Sequence, residues 1–141
     1  MPKINRIRIA NVSYDGKYIS DEIFETFGGE NTLFNLANGS GKSVLVQMMM
    51  QPILPKRKMQ DRSVESYLSK TSSPTYVMLE WKLDYTVKPV YFLTGIAMCS
   101  IGQGDETGAK VKYFTFTHRY SSASEYDIAN SPLISHTDGG C

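Results

Sequence analysis

The sequence predicts an α/β protein of the α+β kind, in which a β-hairpin, a glycine-rich loop and one helix precede an antiparallel β-lobe. Three observations carry this fold class: stretches that alternate apolar and polar residues, one stretch with helical spacing, and a Gly-Ser-Gly-Lys-Ser run just before it. The chain of 141 residues is long enough for one domain. We expect a single lobe over 1–141, with its loop at 36–43, the β-lobe at about 75–120 and a polar tail at 121–141.

The first part of the chain predicts a β-hairpin followed by a short strand. Residues 3–10 alternate isoleucine and arginine near their end, which is the period-two pattern of a half-buried strand. Asp15-Gly16 is a strong turn signal, so an extended segment at 17–25 completes the hairpin. A second turn at 28–30 leads to an apolar strand predicted at 31–36.

The middle of the chain predicts the main helix and a shorter one. Residues 42–51 place four apolar side chains on one face at helical spacing, and the prolines that follow end the helix. These side chains are Val44, Leu45, Met48 and Met49. A second, short helix is predicted at 62–69.

The last third of the chain predicts three consecutive strands. Residues 77–83 alternate most clearly, and 90–100 and 110–120 are rich in β-branched and aromatic residues. Short links between them indicate an antiparallel meander. The same alternation places Glu80 on the solvent face of its strand.

The run Asn38-Gly39-Ser40-Gly41-Lys42-Ser43 is typical of a phosphate-binding P-loop (Walker A). Glycines let a tight loop point its backbone N–H groups at a phosphate, and the positive end of the following helix favours an anion. A lysine then reaches the outer phosphates, and a serine hydroxyl ligates Mg²⁺. The full pattern is G-x-x-x-x-G-K-[ST], and Leu36 stands where its first glycine belongs.

The acids that ATP hydrolysis requires are not predicted in this chain. Hydrolysis needs a carboxylate at a strand end to hold Mg²⁺ and another group to orient water. No apolar run ends in Asp or Asp-Glu, and Glu80, the nearest candidate, sits inside a continuing alternation. We therefore predict no catalytic residue within 1–141.

Composition and charge set the remaining limits. The net charge of +1 gives no general case for nucleic acid or a membrane surface, so any such contact needs a local patch. No apolar run is long enough for a transmembrane helix, and the first residues lack a signal core, which predicts a cytoplasmic protein. Cys99 and Cys141 have no metal-site spacing and are predicted to be a buried thiol and a terminal one.

These features together resemble the N-terminal head segment of SMC-type ABC ATPases. The stretch 29–47 is most similar to MukB-like members, in particular to the JetC ATPases of Wadjet plasmid-defence systems, where the departure at Leu36-Ala37 is acceptable. In this family the head is split by a long coiled coil, and the C-terminal part carries the signature motif, the Walker B acid and the catalytic glutamate. The resemblance implies that residues 1–141 are one part of a longer chain. It also implies that this part alone is inactive as an ATPase.

The resemblance also implies ligands, partners and site residues. ATP and Mg²⁺ would be the cofactors, with Ser43 as a Mg²⁺ ligand and a Mg²⁺-contacting glutamine that we do not place. The partners would be the C-terminal half of the same head, a second head in a homodimer, and DNA through the complete assembly, in chromosome segregation, condensation, repair or plasmid defence. The arginine that follows the first helix in the family corresponds to Arg57 or Arg62. The nucleotide-binding residues would be Asn38, Gly39, Ser40, Gly41, Lys42, Ser43 and Val44.

Two other classes of function compete with this interpretation. A stand-alone nucleotide-binding regulatory module would explain the missing acids without a second half. A small P-loop kinase or GTPase is disfavoured, because those folds alternate helices with parallel strands, whereas this sequence is β-rich after its helix.

Overall fold

The computed structural model describes residues 1–25, 27–33, 35, 37, 39, 41–57, 62–69, 73–83, 88–101, 110–121 and 126–133. Within these ranges the chain forms strands that belong to one sheet, an α-helix and a short 3₁₀ helix. In chain order they are β1 (Lys3–Tyr14), β2 (Lys17–Phe24), α1 (Lys42–Met50), the 3₁₀ helix (Val64–Tyr67), β3 (Thr75–Leu83), β4 (Val90–Ser100) and β5 (Val111–Tyr120).

The sheet has five strands in the order β2-β1-β3-β4-β5, and every neighbouring pair is antiparallel. Asp15 and Gly16 join β1 to β2 with positive φ angles of 48° and 73°, the conformation that a two-residue hairpin turn requires. β3, β4 and β5 follow one another as a meander. The predictions of a hairpin, a helix directly after the glycine-rich loop and a three-strand meander are therefore confirmed, and the protein is sheet-rich with one α-helix among the described residues.

Two predicted elements differ from the structure. The described residues of 31–36, which are 31–33 and 35, lie outside any strand, so the strand predicted there is wrong. The hairpin strand β1 already pairs with β2 on one side and β3 on the other, and Leu33 is 91% exposed, so the described residues of this segment neither extend the sheet nor enter the core. The helix predicted at 62–69 is a single 3₁₀ turn, Val64–Tyr67.

One face of the sheet, here called the helix face, forms the larger apolar core. Its strand residues pack against α1 and the 3₁₀ helix, and the predicted apolar side of α1 is confirmed, since Val44 and Met48 are buried and Leu45 and Met49 are partly buried against the same core. The buried strand residues of the helix face are Ile7, Ile9, Val12, Val77, Leu79, Ile96, Met98 and Val111.

The opposite face, here called the network face, combines a small apolar cluster with buried charge. Glu80 is fully buried there and accepts hydrogen bonds from Arg6, so the prediction that Glu80 faces solvent is wrong. The reason lies in the predicted polar tail: Ile128 is fully buried against this face and covers it. Alternation reports which residues share a face, but it does not report whether another segment covers that face.

Cys99, near the end of β4, is disulfide-bonded, so the prediction of a free buried thiol at this position is wrong. Cys99 is partly buried. Cys141 lies outside the described residues. Among the described residues, no helix has the length and apolar character needed to cross a lipid bilayer.

Candidate phosphate-binding site

The predicted loop leads directly into the N-terminus of α1. Gly39 and Gly41 have φ angles of 78° and 87°, in the left-handed region that favours glycine. The carbonyl of Gly41 accepts the first helical hydrogen bond, from the N–H of Leu45 at 2.9 Å. The two glycines of the motif therefore stand where the backbone must turn tightly to begin the helix.

The first turn of α1 offers unpaired backbone donors to an anion. Lys42 and Ser43 are the first two helical residues, and the N–H groups of a first turn have no partner within the helix. No acidic side chain lies in this turn, and no side chain caps it. The positive end of the helix dipole is therefore not neutralised by a carboxylate of the helix itself.

A cavity of about 290 Å³ opens at this helix end. Its described lining includes two cationic side chains, those of Lys42 and Arg62, together with the Ser43 hydroxyl and no carboxylate. Ser43 and Arg62 are both exposed to solvent. The remaining lining residues are Tyr14, Gly39, Gly41 and Val44.

Residues from separate parts of the chain contact Arg62 and position it at this cavity. The hydroxyls of Tyr67 and Tyr14 interact with its guanidinium group and raise the pKa of Arg62 above its ordinary value. The rings of these two tyrosines lie 5.9 Å apart. The side-chain amide of Gln47, which is buried in α1, donates to the carbonyl of Arg62 at 3.1 Å and fixes the backbone there.

Tyr14 lies close to the loop as well as to Arg62. A Cβ added to Gly41 would sit 3.5 Å from the Tyr14 ring, so the ring forms a wall against which the loop turns. The sequence did not identify this role of Tyr14, or that of Tyr67. A tyrosine at the end of a predicted strand gives no signal of this kind, because the contact depends on how the hairpin packs against the loop.

The structure brings most of the predicted site residues together. Gly39, Gly41, Lys42, Ser43 and Val44 all line the cavity, although Val44 is 5% exposed. The remaining predicted residues Asn38 and Ser40 lie outside the described residues, as does Leu36.

The two arginines that the resemblance left open occupy different places. Arg62 lines the cavity beside Lys42. Arg57 lies instead on a separate surface depression with Leu54 and Lys56, and its carbonyl accepts a 3.0 Å hydrogen bond from the side chain of Gln51. Only Arg62 of this pair is in position to contact a ligand bound at the loop.

No protein-family model, no curated protein and no solved structure matches this chain. The functional argument therefore depends on the residues of the loop, the helix end and the cavity.

Proposed function

We propose that the loop and the first turn of α1 bind the phosphates of ATP with Mg²⁺. The proposal rests on one cavity at the N-terminus of a helix. Two glycines with positive φ angles border it, together with Lys42, Ser43 and Arg62, and its described lining residues include no carboxylate. A triphosphate is a dense negative charge, and this combination of backbone donors and cations is the chemistry that binds it.

Each residue has a distinct role in this proposal. The backbone N–H groups at 38–42 surround the phosphates, since glycine at Gly39 and Gly41 allows the backbone to approach closely. The ammonium group of Lys42 neutralises the outer phosphates, and Arg62 adds a second positive charge at the rim of the cavity. The hydroxyl of Ser43 supplies an oxygen ligand for Mg²⁺.

We further propose that the chain acts as the N-terminal lobe of an SMC-like ATPase head of the MukB/JetC type that works on DNA. The support is the chain order of hairpin, P-loop, helix and antiparallel meander, together with the resemblance over 29–47. The acid that holds Mg²⁺ and the group that orients water would then come from the C-terminal half of the head, and hydrolysis would require two heads. Glu80 supplies neither group, because it lies on the network face and is paired with Arg6.

The test compares ATP binding by the chain and by its Lys42→Ala variant, using titration calorimetry with Mg²⁺ present. Loss of charge-assisted contacts to phosphate is expected to weaken binding by about 10- to 100-fold. Arg57→Ala is the matched control, since it removes an exposed cation outside the cavity. Equal affinity of Lys42→Ala and the unaltered chain for ATP would contradict the proposal.

A second candidate is a nucleotide-binding regulatory module without hydrolysis, and the cavity without a described carboxylate favours it. The two functions differ in what the complete head does. ATP turnover that is lost in Lys42→Ala, measured after joining this lobe to a C-terminal half with signature and Walker B motifs, supports the ATPase. Tight ATP binding without turnover in that assembly supports the regulatory module.

A further inference from the structure

β5, like β2 at the opposite edge of the sheet, is exposed over most of its length. Among the strands that the structure describes, it forms one edge of the sheet and pairs with β4. From 112 to 119 every side chain is exposed except that of Phe116, which is partly buried. An antiparallel strand commonly faces water on one side, but between 112 and 119 this strand exposes side chains on both sides, and the ring of Tyr113 on one of them lies 5.2 Å from the ammonium group of Lys56.

One side of β5 carries four rings at alternate positions, here called the ring row: Phe114 and His118 are exposed, Phe116 is partly buried and Tyr120 is buried. The centroids of Phe114 and Phe116 are 6.0 Å apart, and those of His118 and Tyr120 are 5.6 Å apart. Gly95 of β4 pairs with Phe116, and any Cβ at Gly95 would overlap the Phe116 ring. The glycine therefore lets this ring lie flat on the sheet and supports the middle of the row.

The charge of β5 is entirely positive. Residues 110–121 contain Lys110, Lys112 and Arg119 and no aspartate or glutamate. All three cations are exposed, and Lys112 lies on the same side of the strand as the ring row. The net charge of the chain is only +1, so this strand is a local basic patch.

We propose that the ring row binds single-stranded nucleic acid, with bases stacked on Phe114 and His118 and a phosphate at Lys112. Exposed aromatic side chains on a sheet next to basic residues are the combination that binds unpaired bases, because every base has a face that stacks. This surface is separate from the ATP site, which lies at the N-terminus of α1 on the helix face.

The test measures fluorescence anisotropy of a labelled 15-nucleotide oligothymidine and of a duplex of equal length, titrated with the 141-residue chain. Phe114→Ala is expected to weaken single-strand binding by about tenfold, since one base stack contributes about 1–3 kcal/mol, and to leave duplex binding unchanged. Lys112→Ala is expected to weaken binding to both and to lower the salt dependence by about one charge.

Tyr18→Ala is the matched control. Tyr18 and Phe114 are both 54% exposed, but Tyr18 lies on the other edge strand, β2, so its removal is expected to leave oligonucleotide affinity unchanged. Thermal melting of each variant confirms that it is folded, and Phe114→Leu provides a second variant that keeps an apolar side chain while removing the ring.

Three results would overturn the proposal: no binding of the oligothymidine, equal affinity for single strand and duplex, or unchanged affinity in both Phe114 variants. A dimer that forms through β5 and is lost in Phe114→Ala, without oligonucleotide binding, would assign the strand to protein pairing instead. Lys42→Ala is expected to leave oligonucleotide binding intact, so failure of the ATP site and failure of the ring row are distinguishable.

Discussion

The two faces of the sheet are stabilised by different physics. On the helix face, aliphatic side chains such as Ile7 and Leu79 pack against α1, and burial of apolar area is the main stabilising term. On the network face, a carboxylate that is fully buried is held by hydrogen bonds from an arginine, an asparagine and a tyrosine. The same strands therefore carry an apolar core on one side, which is stabilised by close packing, and an ionic hydrogen-bond network on the other.

The centre of the network is the pair of Arg6 and Glu80. The guanidinium Nε and Nη2 of Arg6 donate to the two oxygens of Glu80 at 2.7 and 2.8 Å, a bidentate arrangement. The Tyr120 hydroxyl also donates to Glu80 and accepts the N–H of Ile128 at 3.2 Å. A carboxylate in the sheet is thereby connected to the segment 126–133 that covers it.

A second arginine fixes that covering segment. Arg8 forms a salt bridge with Asp21 of β2 at 2.7 Å and donates to the carbonyls of Ile128 and Ser131, each at 2.9 Å. The segment therefore satisfies its buried carbonyls through a side chain of β1 and forms no strand of its own. The difference between the faces is that the helix face needs complementary volume, whereas the network face needs every polar partner in place.

Replacing Glu80 is expected to break the network face with the largest effect. Glu80→Ala leaves the partly buried Arg6 without its main partner, so we expect a loss of about 4 kcal/mol in the free energy of unfolding. Glu80→Gln is also expected to destabilise strongly, since it keeps the size but removes the charge. Guanidinium chloride unfolding measures both. Glu22→Ala, at an exposed position on β2, is the control, and a loss below about 1 kcal/mol for Glu80→Ala would contradict the network as described.

Replacing Met48 tests the helix face with a somewhat smaller effect. Met48 is fully buried, and Met48→Ala is expected to cost about 3 kcal/mol because it leaves a cavity. Met48→Leu is expected to cost under about 1.5 kcal/mol, since it nearly conserves volume. The comparison is informative because Glu80→Gln also conserves volume yet is expected to destabilise strongly. Val46→Ala is the control, because Val46 of α1 is 45% exposed. Equal losses of stability for Val46→Ala and Met48→Ala would mean that α1 does not pack as described.

Acid is expected to weaken the network face and not the helix face. The loss in the free energy of unfolding is expected to be the smallest of the three effects. Burial by itself raises the pKa of Glu80, but hydrogen bonds from Arg6, Tyr120 and Asn5 outweigh it and hold the pKa below its ordinary value. A carboxyl with a lowered folded-state pKa contributes stability that is present above its unfolded pKa, about 4.3, and is lost as pH falls through the folded value.

The measurement is the free energy of unfolding at pH 7 and at successively lower pH for the unaltered chain and Glu80→Gln. The unaltered chain is expected to lose more stability than the variant as pH falls below about 4. The Met48→Leu variant is expected to follow the unaltered chain, because the described core of the helix face contains no carboxyl group or histidine that would titrate in this pH range. Parallel curves for the unaltered chain and Glu80→Gln would show that Glu80 does not contribute through its charge.

The strands and the helix were predictable because their signals are local. The alternation in 3–10 and 77–83 predicted β1 and β3, and both strands are longer in the structure. Asp15-Gly16 predicted the hairpin turn. The start of α1 at Lys42 follows from the loop motif itself. These features depend on residues within a few positions of one another, which a linear pattern can report.

The candidate site was predictable only in part for the same reason. Gly39, Gly41, Lys42 and Ser43 are contiguous with the helix and were identified directly. Tyr14 was not, because it reaches the loop from the end of β1 through the packing of the hairpin. The choice between Arg57 and Arg62 also required the structure, since both follow the first helix and only Arg62 lines the cavity.

The sequence by itself determined the strands of the sheet, the helix α1 and the contiguous glycine, lysine and serine residues of the candidate site, because each is specified by neighbouring residues. Tertiary structure alone decided that Glu80 is buried rather than solvent-facing. The residues that pair with it or cover it are far away in the chain: Arg6 lies 74 positions before it and Tyr120 lies 40 positions after it. Burial depends on what covers a face, and no local pattern contains that information.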